Sequence, residues 1–166
     1  MVDSAGEGGS TFLQRGYDQV IHDICLMDIP VVFALDRAGI VGEDGETHQG
    51  VFDVSYLRAI PNMTIFAPRN EKDMHAAMDF AYAYNSPCAL RYPRGAFLDE
   101  SEEDETTPFV LGRAEMLQET SNDILFIGYG NGVGRAKQTA ELMDEDIAIM
   151  DLRFVKPLDE AMLREC

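Results

Sequence analysis

The stretch VVFAL at residues 31–35 decides the fold class. It lies between Pro30 and a polar loop, residues 36–50, that is rich in glycine. An uninterrupted apolar run of this length, bounded by proline on one side and by a polar loop on the other, is typical of a strand buried on both faces. Such strands form parallel sheets that helices cover, so the run predicts an α/β fold.

The pattern continues on both sides of this strand. Residues 12–27 and 71–84 carry apolar side chains at helical spacing. Apolar runs at 63–67 and 88–92, each ending beside a proline, predict two more strands. Because helices alternate with strands, we expect an open, mainly parallel α/β sheet over residues 10–95.

A second, shorter helix–strand pattern follows the first. It predicts a strand, a helix and a strand at residues 123–127, 133–143 and 147–150. The acidic run DESEEDE at 99–105 separates the two patterns, and we interpret it as solvated because like charges remain in water. The predicted organisation is therefore a first domain at 10–95, an acidic linker at 96–121 and an incomplete second α/β domain at 122–166.

Composition limits the possible partners and compartments. The 166 residues include 13 Lys plus Arg and 30 Asp plus Glu, a net charge of −17, so neither nucleic acid nor a membrane surface is an expected partner. No apolar run approaches the roughly 18 residues that span a bilayer. Three cysteines with no metal-ligand spacing predict free thiols and no metal site, and we expect a cytoplasmic protein.

The polar loop at residues 36–50 is the strongest candidate for a functional segment. Ligands of open α/β sheets bind at the carboxyl ends of strands, where this loop begins. Arg37 lies in it, and Arg94 follows another predicted strand, so the two guanidinium groups could hold a phosphorylated small molecule between them. Salt bridges to nearby carboxylates are an equally good explanation of these arginines. His48 lies in the same loop and is suited to proton transfer near neutral pH.

The glycine-rich segment GYGNGVG at residues 128–134 follows a predicted strand and precedes a predicted helix. The dinucleotide-binding pattern G-x-G-x-x-G fails here, because Val133 or Arg135 occupies the position of the third glycine. We therefore expect a tight turn packed against its neighbours, with a nucleotide-binding module as the weaker alternative.

Several motifs, taken in order, resemble the 1-deoxy-D-xylulose-5-phosphate synthase family. They are STFLQR (10–15), YDQ (17–19), DRAG (36–39), DGETHQG (44–50), RYPRG (91–95) and RFVKPLD (153–159). The resemblance covers the chain from about Ser10 to its last residue. It implies a pyrimidine-binding domain of the thiamine diphosphate enzymes, followed by the beginning of a transketolase C-terminal-like domain.

The resemblance also implies an activity. Members of the family condense pyruvate with glyceraldehyde 3-phosphate, with loss of carbon dioxide, in the biosynthesis of isoprenoid precursors, thiamine and pyridoxal. They use thiamine diphosphate with Mg²⁺ and are expected to form homodimers. By matching position, Phe12 would pack on the aminopyrimidine ring beside Arg15, and Arg37 and Arg94 would hold the acceptor phosphate. Asp44 and His48 would bond the oxygens of the substrates and move protons.

The chain also departs from the family pattern. Family members are several times longer, and their N-terminal domain supplies the diphosphate and magnesium site and a glutamate that activates the aminopyrimidine. Neither is found in this sequence, so we expect the chain to be inactive by itself. The alternatives are a segment of another thiamine diphosphate enzyme, such as transketolase or an E1 β-subunit, and a non-catalytic interaction fragment.

Overall fold

The computed structural model describes residues 9–99, 107–143 and 145–166. The strands are β1 (Val32–Leu35), β2 (Thr64–Phe66), β3 (Cys88–Arg91), β4 (Glu115–Gln118), β5 (Leu125–Gly128), β6 (Ala148–Asp151) and β7 (Phe154–Lys156). The α-helices are α1 (Gly9–Phe12), α2 (Tyr17–Gln19), α3 (Asp53–Arg58), α4 (Glu71–Ala83), α5 (Asn131–Met143) and α6 (Glu160–Glu165). A 3₁₀-helix at Leu13–Gly16 and a π-helix at Val20–Cys25 make residues 9–25 helical throughout.

Two open sheets form the molecule. The first has the order β1-β3-β2-β7, in which β1, β3 and β2 are parallel and β7 is antiparallel. The second has the order β4-β6-β5, in which β5 and β6 are parallel and β4 is antiparallel. The predicted open and mainly parallel α/β architecture is confirmed.

The five strands expected from the sequence are present within one or two residues of their predicted positions. The sequence analysis missed β4 and β7, whose short sequences EMLQ and FVK mix apolar with polar or charged residues, and the six-residue helices α3 and α6. The strand β7 follows β6 along the chain but pairs with β2, so the end of the chain contributes a strand to the first sheet. The predicted domain boundaries at 10–95, 96–121 and 122–166 stay a prediction.

The core is built from the sheet faces. One cluster joins the helical residues 9–25 to β1 and β2 through Cys25, Leu35, Leu57 and Ile65, all at most 2% exposed. A second cluster is aromatic: Phe66 packs against Phe80, Phe109 and Phe154, with ring centroids 5.2 to 5.8 Å apart. Because Phe109 lies in the predicted linker and Phe154 lies beyond it, this cluster fastens the later part of the chain to the first sheet.

A buried set of charges lies where the two sheets meet. This junction cluster consists of Arg69, Asp73, Glu115, Asp151 and Arg153. Arg69 is 1% exposed, and its Nη1 donates to Glu115 Oε2 at 2.6 Å and to Asp151 Oδ2 at 3.2 Å. Arg153 Nη2 lies 2.8 Å from both Asp73 Oδ1 and Glu115 Oε2. The cluster therefore links residues after β2 and in α4 to residues in β4, at the end of β6 and just after it.

One expectation about the acidic run is wrong. Asp99, its first residue, is buried rather than solvated, because its carboxylate lies 3.2 Å from Lys137 Nζ and 3.8 Å from Arg69 Nε. Two cations satisfy a charge that the sequence pattern assigned to water. The rest of the run, with residues 100–106, lies outside the described residues.

In the described part of the chain, every helix is too short or too polar to cross a bilayer.

Candidate active site

The carboxyl ends of β1 and β3 place the two predicted phosphate-binding arginines side by side. The amide of Tyr92 donates to Leu35 O at 3.0 Å, and the amide of Ala38 donates to Tyr92 O at 3.1 Å. These bonds continue the parallel pairing one step past the strands, into the segments that carry Arg37 and Arg94. The expectation that both arginines lie at one edge of the sheet is met by this geometry.

Asp44 lies between Arg37 and Arg94. Its Oδ1 accepts from Arg37 Nη1 at 2.7 Å and from Arg94 Nη1 at 2.5 Å, while Arg94 Nη2 is 3.6 Å from Glu43. Burial opposes ionisation of Asp44, but the hydrogen bonds and charges of the two arginines outweigh it and hold the Asp44 pKa below its ordinary value. Two guanidinium groups thus converge on one anionic oxygen.

Accessibility differs within this group. The side chain of Arg94 is 41% exposed and that of Arg37 26%, whereas the Asp44 side chain is 7% exposed. Asp44 Oδ2 makes no hydrogen bond among the described residues. The arginines can therefore be reached from solvent, and the anion that they hold has an unused oxygen.

The loop at residues 36–50, here the site loop, is closed at its base by two glycines. Gly39 and Gly50 exchange backbone hydrogen bonds of 2.8 and 2.9 Å. A Cβ on Gly50 would lie 2.2 Å from Ser10 Oγ and 2.4 Å from Arg37 O, so only glycine fits there. Arg37 itself has φ +54°, a left-handed conformation that is costly for a residue with a side chain and that the surrounding structure must hold.

Gln49 organises the interior of the site loop. Its side-chain oxygen accepts from Val41 N at 2.7 Å, and its Nε2 donates to Val41 O at 3.0 Å and to Asp44 O at 3.1 Å. One amide side chain therefore replaces the pairing that a second strand would supply. The sequence analysis missed this role, since only the position of Gln49 inside a specific motif marks it.

Phe12 and His48 form a second part of the site. Their ring centroids are 5.3 Å apart in an edge-to-face arrangement, and the Phe12 side chain is partly exposed. The hydroxyl of Thr11, next to Phe12, bonds to Gln49 O, which fixes α1 against the site loop. His48 Nδ1 lies 2.9 Å from Thr47 Oγ1.

Among the described residues, two contacts between predicted site residues are not formed by hydrogen bonds: one by Arg15, the other between Asp44 and His48. Arg15 is exposed on the 3₁₀-helix after Phe12, and no hydrogen bond or ion pair in the described ranges links it to another site residue. Asp44 and His48 lie in one loop, yet no hydrogen bond between described atoms connects their side chains. The six predicted residues therefore form two groups, Arg37–Asp44–Arg94 and Phe12–His48, with Arg15 apart.

The glycine-rich turn packs as expected. A Cβ on Gly128 would lie 2.6 Å from the Cα of Val133 in the first turn of α5. The turn therefore has no room for a side chain at this position. A cavity of about 170 Å³ separates this turn from the strand ends and is lined by residues that include Gly39, Ala67, Arg91, Tyr129 and Asn131.

The fold and the site define the class of protein. The family described as "Transketolase, pyrimidine binding domain" matches residues 9–98, and "Transketolase, C-terminal domain" matches residues 112–166. The chain belongs to the transketolase family of thiamine diphosphate-dependent enzymes.

Two similar relatives both carry the name of one enzyme within this family. The chain is 69% identical over 156 residues to 1-deoxy-D-xylulose-5-phosphate synthase of Sulfurimonas denitrificans, which is 94% of this chain and 26% of that protein. It is 64% identical over 156 residues to the enzyme of the same name from a Nitratiruptor species, with the same shares covered. The family resemblance in the motifs is confirmed, and the chain spans about a quarter of the length of these relatives.

Solved structures confirm the architecture. The chain superposes on a structure titled "Split gene transketolase, inactive beta4 tetramer" with a TM-score of 0.82 and 24% identity, covering 95% of this chain and 51% of that one. For the transketolase of Campylobacter jejuni the TM-score is 0.73 at 22% identity, covering 91% of this chain and 24% of that one. At these identities the likeness supports the fold.

Proposed function

We propose that the chain supplies the acceptor side of a 1-deoxy-D-xylulose-5-phosphate synthase site. In the complete reaction pyruvate and glyceraldehyde 3-phosphate give 1-deoxyxylulose 5-phosphate and carbon dioxide. The observation that carries the proposal is the convergence of Arg37 and Arg94 on a single oxygen of Asp44. Two guanidinium groups at that spacing suit a phosphate dianion, which they would bind through charge-assisted hydrogen bonds.

The phosphate would serve as a handle for the aldehyde. Binding energy from a group remote from the reacting carbon contributes to rate when it orients that carbon. With the phosphate held by Arg37 and Arg94, the other end of a three-carbon acceptor would extend along the site loop. Asp44 and His48 would then bond substrate oxygens, and His48 would transfer a proton to the oxygen of the acceptor aldehyde.

The residues present fit the pyrimidine half of thiamine diphosphate. Phe12 is 39% exposed, so a ligand ring can reach part of its side chain, and Arg15 follows it one helical turn later. When bound, the cofactor supplies the electron sink for decarboxylation of pyruvate. No three His, Cys, Asp or Glu side chains in residues 9–99, 107–143 and 145–166 group as a metal site requires, and we propose that Mg²⁺ and the diphosphate are held by other residues of the complete enzyme.

We also make proposals about the compartment, the pathway and the oligomeric state. We propose a cytoplasmic enzyme of isoprenoid and thiamine precursor biosynthesis, in keeping with free thiols at Cys25, Cys88 and Cys166. We also propose a homodimer, supported by exposed apolar side chains beside the site: Ile40 is 83% exposed and Phe52 61%. Sedimentation equilibrium of the complete enzyme tests the dimer, and a monomer at micromolar concentration would contradict it.

The function can be tested by grafting. Residues 10–166 replace the matching segment of the Sulfurimonas denitrificans relative, and formation of 1-deoxyxylulose 5-phosphate is measured with both substrates, thiamine diphosphate and Mg²⁺. We expect activity in the graft and none in the 166-residue chain alone. Arg37→Ala should raise the KM for glyceraldehyde 3-phosphate at least tenfold, because about 1.4 kcal/mol of phosphate binding is lost.

Arg113→Ala is the matched control, since Arg113 is exposed and lies outside the site. An Arg37→Ala graft with an unchanged KM would overturn the phosphate role and would favour a thiamine diphosphate enzyme with another acceptor.

A further inference from the structure

Arg91 begins the RYPRG motif but takes no part in the proposed phosphate contacts. It is the last residue of β3, and its side chain is 12% exposed. Its Nε donates to Asp53 Oδ2 at 2.7 Å and its Nη2 donates to Asp53 Oδ1 at 3.0 Å, which is the two-bond geometry that guanidinium and carboxylate prefer. Asp53 itself is 2% exposed.

The pair lies at the exit of the site loop. Asp53 is the first residue of α3, and its Oδ1 also accepts from the amide of Val54 at 2.8 Å. Arg91 Nη2 reaches the carbonyl of Gly50, the last residue of the site loop, at 3.5 Å. A single guanidinium thus contacts the residue that ends the site loop and the residue that begins the next helix.

Gly50 transmits this constraint to the phosphate-binding arginine. Its two hydrogen bonds to Gly39 fix a residue two positions from Arg37, and the backbone of Arg37 packs directly against Gly50. Arg37 is in the left-handed conformation, which the surrounding structure must hold. A displacement of Gly50 would therefore move the guanidinium of Arg37 away from Arg94.

The other side of Arg91 faces the second sheet. Its guanidinium carbon is 5.7 Å from the ring centroid of Tyr129, in the glycine-rich turn before α5. Tyr129 and Arg91 line the same cavity. The turn that fails as a dinucleotide site therefore lies next to the Arg91 guanidinium, on the side of the first sheet that faces the second one.

We propose that Arg91 is a positioning residue for acceptor binding: through Asp53 and Gly50 it holds the site loop so that Arg37 and Arg94 face one anion. This inference rests on the proposed function for its consequence in substrate binding. The geometric part, that Arg91 fixes the Gly39–Gly50 pair, stands apart from it.

The test uses Arg91→Lys in the 166-residue chain, with Arg113→Lys as the matched control. Lysine keeps the charge but cannot make both bonds to one carboxylate. Amide hydrogen exchange is measured at Gly39 and Gly50 and, for reference, at Ile65 and Ala89 in the buried strands. Binding of inorganic phosphate is followed by NMR titration in the same samples.

We expect Arg91→Lys to speed exchange at Gly39 and Gly50 at least tenfold more than at Ile65 and Ala89, and to weaken phosphate binding at least fivefold. Arg113→Lys should change both within twofold. Adding Asp53→Glu to Arg91→Lys should recover part of the loss, because the longer carboxylate can follow the shorter cation. Equal acceleration at all four amides, or a phosphate affinity equal to that of Arg113→Lys, would overturn the proposal.

Two further arms complete the test. If Arg91→Lys does not fold, Asp53→Asn is measured by the same criteria, since it removes the charge while leaving an oxygen for the Val54 amide. Arg37→Ala distinguishes the proposed phosphate site from the positioning role of Arg91. Phosphate binding that Arg37→Ala leaves unchanged refutes the proposed phosphate site, and the exchange data still decide whether Arg91 positions the site loop.

Discussion

Two groups of arginines and carboxylates in this molecule have the same chemistry and opposite surroundings. At the candidate site, Arg37 and Arg94 share one carboxylate at the rim of the sheet, and their side chains are 26% and 41% exposed. In the junction cluster, Arg69 and Arg153 are at most 3% exposed and share the carboxylates of Asp73 and Glu115, while Arg69 also pairs with Asp151. Exposed ions can exchange partners with a ligand, whereas buried ions have only each other.

The difference shows why pairing alone does not identify a binding site. An arginine whose partners are buried with it contributes to the folded state, and removing one member leaves the others uncompensated. An arginine that water can reach gains little from its partner, so an incoming phosphate competes on favourable terms. Ion pairs are more numerous at the junction, yet the candidate site that we propose lies at the rim.

The largest effect is expected at the junction. Arg69→Met should lower the free energy of unfolding by about 3–5 kcal/mol, because Asp73, Glu115 and Asp151 lose a shared cation in a buried setting. Urea unfolding followed by circular dichroism measures it. Arg164→Met, at an exposed pair with Glu160, is the control and should change stability by less than about 0.5 kcal/mol. An equal loss of unfolding free energy in Arg69→Met and Arg164→Met would show that the junction cluster stabilises the fold no more than an exposed ion pair.

The pH dependence of stability should come from the same cluster. Burial raises the pKa of Asp151 to about 6, aided by the charge of Asp73 and opposed by the Arg153 amide and by the guanidinium groups of Arg69 and Arg153. A carboxyl whose pKa is higher in the folded state binds its proton more tightly there, so its contribution to stability grows as pH falls from about 7 to about 4. It is lost as pH rises through about 6.

A shift of roughly two pKa units is worth about 2–3 kcal/mol over the whole titration, and about 1.4 kcal/mol of it develops between pH 7.5 and pH 5. The measurement compares urea midpoints at pH 5 and pH 7.5 in the wild-type chain and in Asp151→Asn. Glu115 and Asp73 face the same cations and remain in both proteins, so the difference between the two pH profiles reports Asp151. Parallel profiles would show that Asp151 keeps its ordinary pKa.

A smaller effect is expected at the rim. Asp44→Asn should change the free energy of unfolding much less than Arg69→Met, since its two arginine partners stay partly hydrated. It should strengthen the binding of inorganic phosphate about three- to tenfold, because a neutral amide competes less well than a carboxylate for Arg37 and Arg94. Isothermal titration calorimetry measures the affinity, and weaker phosphate binding in Asp44→Asn would show that Asp44 does not compete.

Much of the fold follows from the sequence. Apolar runs located β1, β2, β3, β5 and β6, and prolines beside the first three marked where those strands begin or end. The strand β7 could not be found in the same way. It contains Lys156, whose ammonium group bonds to the carbonyls of Arg58 and Ile60, so its place in the first sheet depends on contacts nearly a hundred residues away.

The site was predictable to a similar degree. The sequence predicted that Arg37 and Arg94 lie close together, because they follow β1 and β3, and neighbouring parallel strands end at the same edge of a sheet. The position of Asp44 between them depends on how Gln49 folds the site loop, and no periodicity reports a side chain that bonds to its own loop. The burial of Asp99 was missed for a related reason, because the cations that stabilise it belong to distant elements.

The most direct test of the contrast is a phosphate titration of the 166-residue chain, followed at the Nε–Hε resonances of its arginines. The account predicts saturable shifts at Arg37 and Arg94, none at Arg69 and Arg153, and at least tenfold weaker binding in Arg37→Ala and in Arg94→Ala. Shifts at Arg69 or Arg153 with Arg37 and Arg94 unmoved, or an affinity that neither substitution alters, would contradict it.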